Sequence, residues 1–437
     1  MLRKTMKVTW GILIEYYRAN EAFNTQADDW QIKHFLIGED GKKICSEQTY
    51  RKLKIGEATY HAETYQQLIH KLGFEEKELK IFEIQQLNQL FEELLHSIEY
   101  GKYELLKSLT NRILGILEPY SNYFLYSEYV ELMNIIRDQY LHFKKMKQEH
   151  YEKYLVIYPV FVEPVRIIVK ELVYRYCHQT FFDTLKLNAV SLQIKLEEET
   201  NDLLYCNRIL QLMFNRRVIN AYNTCLELRE RLIKVQNSNL LASIDMVLIS
   251  LCLNMKQNDV FIYLEELEAL LEQPELSFTN AKKGRTYYSL GMQYFYQKRY
   301  ERAYEMYSKA IALDPGSIQD AALYMRYMLE LCDLPKINFA LYPIKSCSER
   351  FQIIYRYYQL RDELKIANLR IAEEISYDQL KKLEMYINDH IMSQINGNNE
   401  LLYEIFQEEL DLIADRTKEY SIAQKFSIRY NKLKLVY

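Results

Sequence analysis

Helix breakers are scarce in this chain. With 11 Gly and 7 Pro in 437 residues, it has too few turns for a strand-and-hairpin protein, and the scarcity favours a nearly all-helical fold. The catalytic signatures GxxxxGK[ST], GxGxxG, HExxH and GxSxG are missing in every frame. Their absence argues against phosphate-loop, dinucleotide, zinc-hydrolase and serine-elbow chemistry. Seven cysteines (45, 177, 206, 225, 252, 332 and 347) are scattered without a CxxC pair, which reads as thiols in a reducing compartment. Cys177 and His178 are adjacent, so on a helix they point about 100° apart and make a poor nucleophile–base pair. The eight histidines show no metal-ligand spacing, and we expect neither a metal, a cofactor nor an enzyme. Long apolar runs are missing too. The most apolar stretch, 154–174, is interrupted by Glu163, Arg166 and Lys170 and carries Pro159 and Pro164, as a buried helix with a break would be. The start, MLRKTMKVTWGILIEYYR, has no uninterrupted apolar core and no cleavage site. The expectation is a cytoplasmic protein with no membrane partner.

The chain has plenty of apolar side chains, at 49% of residues, which excludes general disorder. Its 39 tyrosines suit the wide spacers of stacked helices, or the wall of an aromatic ligand groove. The net charge of −4 hides a contrast: residues 1–74 carry 11 Lys+Arg against 9 Asp+Glu, and the remainder 45 against 51. A mildly basic segment in front of an acidic one hints at a nucleic-acid-binding part joined to something else.

Residues 284–315, GRTYYSLGMQYFYQKRYERAYEMYSKAIALDP, hold the clearest pattern. Tyr287, Leu290, Gly291 and Tyr294 share one face of a first helix; Tyr300, Ala303, Tyr307 and Ala310 share one face of a second, which Pro315 stops. Gly291 and Ala303 are small where two helix axes would cross closely. The segment resembles a tetratricopeptide repeat, whose period is about 34 residues. Such a unit cannot bury its apolar face alone and predicts stacked neighbours.

Helix pairs of similar size flank it. Residues 74–117 read as two helices around a turn at Tyr100–Lys102, and 239–256 pairs with 259–272 around Gln257–Asn258. A helix through 318–332 follows, then 351–360 with 363–375, then three further amphipathic helices through Tyr430. The expected organisation is all-α: a small helical domain over residues 1–74, then a single repeat solenoid over 75–437.

The N-terminal part rests on Ile44–Gly56, ICSEQTYRKLKIG. Ser46 is placed as an N-cap, Gly56 ends the helix, and Thr49, Tyr50 and Leu53 face inward. Glu47, Gln48, Arg51, Lys52 and Lys54 then project outward. Polar side chains near a helix N-terminus with cations behind them suit a base edge and the adjacent phosphates. The segment, with the following helix AETYQQLIHKLG closed by Gly73 and an opening helix Trp10–Asn20, resembles the recognition half of XRE-type helix-turn-helix domains. That resemblance implies double-stranded DNA contacts from Ser46, Glu47, Gln48, Thr49, Arg51, Lys52 and Lys54. Two features depart from the family: Lys54 stands where an acid is usual, and ADDWQIKHFLIGEDGKK replaces a smooth second helix. The same residues also suit a small cap that closes the solenoid without touching DNA.

An XRE-like head on tetratricopeptide-like helices resembles the Rgg/PlcR/PrgX group of peptide-responsive regulators in Gram-positive bacteria. The resemblance implies a homodimer whose solenoid senses a short signalling peptide, often through Asn side chains. An Asn amide can donate to one peptide group and accept from another. The candidates are Asn207, Asn215, Asn220, Asn223 and Asn254, with Tyr288 on a nearby repeat. The alternative is a protein-interaction adaptor, or a Rap-like response-regulator antagonist, with a cap that binds no DNA.

Overall fold

The computed structural model describes residues 2–57, 62–142, 144–181, 183–273, 278–314, 319–332, 349–371, 374–394 and 400–434. Among them there is no strand, only two isolated bridges, Ile37 with Lys43 and Glu75 with Tyr123. The chain divides into two compact units, Met1–Phe278 and Thr279–Tyr437.

The first unit opens with α1 (Leu2–Thr25), α2 (Ile32–Phe35), α3 (Glu47–Leu53) and α4 (Ala62–Lys71). It continues through α5 (Ile81–Glu99), α6 (Tyr103–Leu117), α7 (Tyr126–Leu141), α8 (Gln148–Ile157) and α9 (Glu163–Phe181). It ends with α10 (Thr184–Gln193), α11 (Asp202–Phe214), α12 (Val218–Lys234), α13 (Ser238–Met255) and α14 (Val260–Leu271). Residues 154–174 are broken as expected, by a 3₁₀ turn at Tyr158–Val160. By length and composition, α13 is apolar enough to cross a bilayer, but half of it is buried inside the protein. Leu240, Ile244, Leu248 and Leu251 of α13 belong to the core of the unit.

The second unit comprises α15 (Asn280–Tyr296), α16 (Tyr300–Leu313), α17 (Gln319–Leu331) and α18 (Glu349–Glu363). Next come α19 (Tyr377–Tyr386), prolonged by a π-turn at Ile387–Ile391, then α20 (Glu400–Thr417) and α21 (Ser421–Lys434). One expectation is corrected here: among the described residues of 363–375, none after Glu363 lies in a regular helix. Lys365 takes φ +59° and Ile366 N–H closes back on Arg361 O at 2.8 Å. The next helix starts only at Tyr377, where Ser376 and Gln379 form a capping box. The heart of the unit is charged. Arg361 is fully buried, its Nη1 donating to Glu409 Oε1 at 2.9 Å and its Nη2 2.8 Å from Glu330. A buried charge is tolerated because it is paired and hydrogen-bonded.

One backbone device recurs along the helix pairs. A single left-handed residue sits in each tight turn: Gly101 between α5 and α6, Arg216 between α11 and α12, Gln236 between α12 and α13, Lys256 between α13 and α14, Lys298 between α15 and α16. Each time, the next N–H bonds to a carbonyl five residues back: Lys102 to Ser97 (2.8 Å), Arg217 to Leu212 (2.9 Å), Asn237 to Leu232 (2.9 Å), Gln257 to Cys252 (2.9 Å) and Arg299 to Tyr294 (3.0 Å). These are helix-closing motifs that satisfy the last orphan carbonyls and send the chain straight back along its neighbour. Four of the five residues are not glycine. The left-handed conformation costs an ordinary residue roughly 1–2 kcal/mol, so packing imposes these turns.

Residue 74, the expected domain boundary, lies inside the first unit. Phe124, from the turn before α7, meets Trp10, Tyr17 and Phe74 at ring-centroid distances of 5.9, 6.4 and 5.9 Å. Tyr17 of α1 donates to the buried Glu128 of α7, which also holds Lys153 of α8 at 2.7 Å. The first 74 residues therefore share a core with the helices that follow them.

Candidate functional site

The candidate nucleic-acid interface is α3, which caps itself as its sequence demands. Ser46 is extended at φ −72°, ψ 155°, and its Oγ accepts Thr49 N–H at 3.0 Å. Glu47 lies in the first turn and Arg51 and Lys52 in the last, each sign at the end of the helix dipole that favours it. Gly56 then takes φ +73°. Tyr50 and Leu53 are fully buried, while Glu47, Gln48, Arg51 and Lys52 are exposed and Thr49 is half-buried.

Lys54 does not project with them. It is half-buried, with its Nζ 3.5 Å from Glu15 Oε1 of α1. The departure from the usual acid is thus answered by an acid on the facing helix. Two residues that sequence reasoning passed over make this contact. Gly11 comes so close to α3 that a Cβ built there would lie 2.0 Å from the carbonyl oxygen of Leu53. Glu15, one turn further along α1, accepts the Tyr50 O–H at 2.8 Å and, on its two oxygens, Arg18 at 2.7 and 3.0 Å. Burial raises the cost of the Glu15 charge, but Arg18, Tyr50 and Lys54 outweigh it and hold the carboxyl below its ordinary range. Burial first, and the Glu15 charge next, push the Tyr50 phenol well above its usual value, so it stays a donor. The available signal was a glycine in mid-helix, followed at spacings of four and three by Glu15 and Arg18.

The segment before α3 departs from a standard helix-turn-helix. Helix α2 spans only Ile32–Phe35, and residues 36–46 separate it from α3, where the motif has a turn of about 3–4 residues. That stretch forms a small hairpin, with Gly38 N–H on Lys42 O at 2.8 Å, Ile44 N–H on Leu36 O at 2.9 Å, and Gly41 at φ +75°. Lys71 of α4 caps the carbonyls of His34 and Ile37 at 2.7 and 2.6 Å. A helix-turn-helix unit is not what the geometry shows.

The six candidate peptide contacts are dispersed. Asn207 is buried on α11, and its Nδ2 has no hydrogen-bond partner. Asn215 closes the same helix and exchanges amide hydrogen bonds with Asn188 of α10 at 2.9 and 3.0 Å. Gln211 adds a bond to Asn188 (3.2 Å) and accepts Ser191 Oγ (2.7 Å). Asn220 and Asn223 are exposed on α12, and Asn254 is exposed near the end of α13. Tyr288 belongs to the other unit, half-buried on α15 with its ring 5.6 Å from that of Tyr307. Asn201, just ahead of Asn207 in the chain, caps α11 and donates to Glu99 at 2.7 Å.

The α15–α16 pair packs as its spacing predicts. Tyr287, Leu290, Tyr294, Ala303, Tyr307 and Ala310 are buried, and a Cβ at Gly291 would lie 2.8 Å from the Tyr307 ring. Pro315 lies outside the described residues; α16 ends at Leu313. Residues 284–317 match the tetratricopeptide repeat family. No curated protein and no solved structure matches the chain. The described residues are thus those of a helical protein with a tetratricopeptide repeat, a unit suited to protein interaction.

Proposed function

We propose that this chain is a DNA-binding transcriptional regulator of the cytoplasm, acting as a homodimer, whose repeat helices sense a short signalling peptide. The observation that carries the reading is the division of α3: Tyr50 and Leu53 are sealed against α1, while Gln48, Arg51 and Lys52 stand exposed. Gln and Arg suit base edges, Lys and Arg suit phosphates, and Ser46 and Thr49 keep the leading turn formed. In the sensor, Asn220, Asn223 and Asn254 offer exposed amides to an extended peptide backbone. A ligand bound there acts on the head only by its difference in affinity between two states of the protein.

The short α2 and the hairpin before α3 favour a second reading: an interaction adaptor whose N-terminal helices only cap the repeats. In vitro selection of bound DNA with the full-length chain, followed by affinity measurements over a salt series, separates the two. The regulator should lose affinity linearly with log salt, and Arg51→Ala with Lys52→Ala should lower the slope by about one for each phosphate contact removed. Selection that enriches no sequence, or affinity unchanged in the double variant, overturns DNA binding through α3.

A further inference from the structure

The seat of α3 is polar at its centre. A single carboxylate, Glu15 on α1, gathers Tyr50 from inside α3 at 2.8 Å and Lys54 from its end at 3.5 Å. The same carboxylate binds Arg18 bidentately, and Arg18 Nη1 holds the carbonyl of Trp30 at 2.6 Å, just ahead of α2. Tyr50 and Lys54 are four residues apart, so they lie on the hidden side of the helix. Gln48, Arg51 and Lys52 occupy the other side. Apolar contact of Leu53 with α1 sets how deep α3 sits, but such contact is non-directional. Hydrogen bonds weaken steeply when bent, so the bonds to Glu15 also fix the angle of α3 about its own axis.

We propose that Glu15 is a positioning residue: it sets the rotation of α3 and thereby the direction in which Gln48, Arg51 and Lys52 point, without itself reaching the ligand. The proposal rests on the reading that α3 meets DNA, and it moves Lys54 from the contact face to the positioning cluster. Gly11 supports the same geometry by letting the Leu53 carbonyl approach α1 one turn earlier.

The test uses the full-length chain with Tyr50→Phe, Glu15→Lys, and Glu15→Lys combined with Lys54→Glu. Amide exchange of α3 and affinity for the selected DNA are measured on each. Tyr50→Phe should speed exchange in α3 and weaken DNA binding, each by roughly tenfold, with the salt slope unchanged because no phosphate contact is lost. Glu15→Lys should cost more on both readouts, and adding Lys54→Glu should recover most of that loss by restoring an anion at the junction. Should Glu15→Lys fail to fold, Tyr50→Phe alone decides. Unchanged exchange in Tyr50→Phe, or no recovery in the swapped pair, overturns the role of Glu15 while leaving DNA binding standing. Exchange that follows the pattern in a chain that binds no DNA overturns the DNA reading and leaves Glu15 as the residue that orients α3.

Discussion

The head and the tetratricopeptide repeat each bring two helices together at a glycine, and they seat them by different means. In the repeat, Gly291 faces the ring of Tyr307, and the residues around it are apolar or aromatic. In the head, Gly11 faces main chain, the carbonyl of Leu53, and the neighbouring turn carries the polar junction of Glu15, Arg18, Tyr50 and Lys54. An apolar seat tolerates small slips because dispersion is shared among many contacts. A polar one specifies an orientation, which matters where a helix must present particular side chains outward.

The contrast can be broken most forcefully at Gly11. In Gly11→Ala the new methyl meets backbone that cannot swing away, and denaturant unfolding should show a loss of about 3 kcal/mol or more in the first unit. A loss below about 1 kcal/mol would mean that the α1–α3 crossing is looser than described. Gly291→Ala is the matched change in the repeat. There the obstacle is a side-chain ring rather than backbone, and alanine's better helix propensity returns about 1 kcal/mol, so about 1–2 kcal/mol should be lost from the second unit. If the repeat proves the more sensitive of the two, the distinction between ring and backbone obstacles is wrong.

The smallest effect sharpens the electrostatic half of the comparison. The Glu15 carboxyl is held below its ordinary value of 4.5, so its contribution is present above that value and lost as pH falls through the lower, folded one. As the pH is lowered through 4.5 and below, amide protection of α3 should therefore fall relative to that of α15–α16. The difference should disappear in Glu15→Gln. Equal protection across that range in the wild type would show that the carboxylate does not hold α3.

Local chemistry was legible in the sequence, and long-range chemistry was not. The Ser46 cap, the inward Tyr50 and Leu53, the outward Gln48, Arg51 and Lys52 and the turns at Gly56 and Gly73 all follow from residues within one turn of each other. So does the repeat at 284–317, whose size restrictions fall at fixed spacing. Sequence spacing alone makes Lys54 an outward cation, because its partner, Glu15, is distant in sequence. The turns at Arg216 and Gln236 carry no glycine to announce them, since tertiary packing holds those residues left-handed. The helix expected over 363–375 was spoiled by one such turn at Lys365. The division after Phe278 rather than near residue 74 depends on rings that meet only in the folded chain.

Those rings bear on how the protein can be taken apart. Phe124 sits among Trp10, Tyr17 and Phe74, and Glu128 takes the Tyr17 hydroxyl. A fragment ending at residue 74 would carry three aromatic side chains stripped of their shared neighbour and a half-buried phenol without its acceptor. The remaining chain would expose Phe124 and leave Glu128 to Lys153 alone. A chimera that transplants this head onto another scaffold has to bring the turn before α7 and the start of that helix with it.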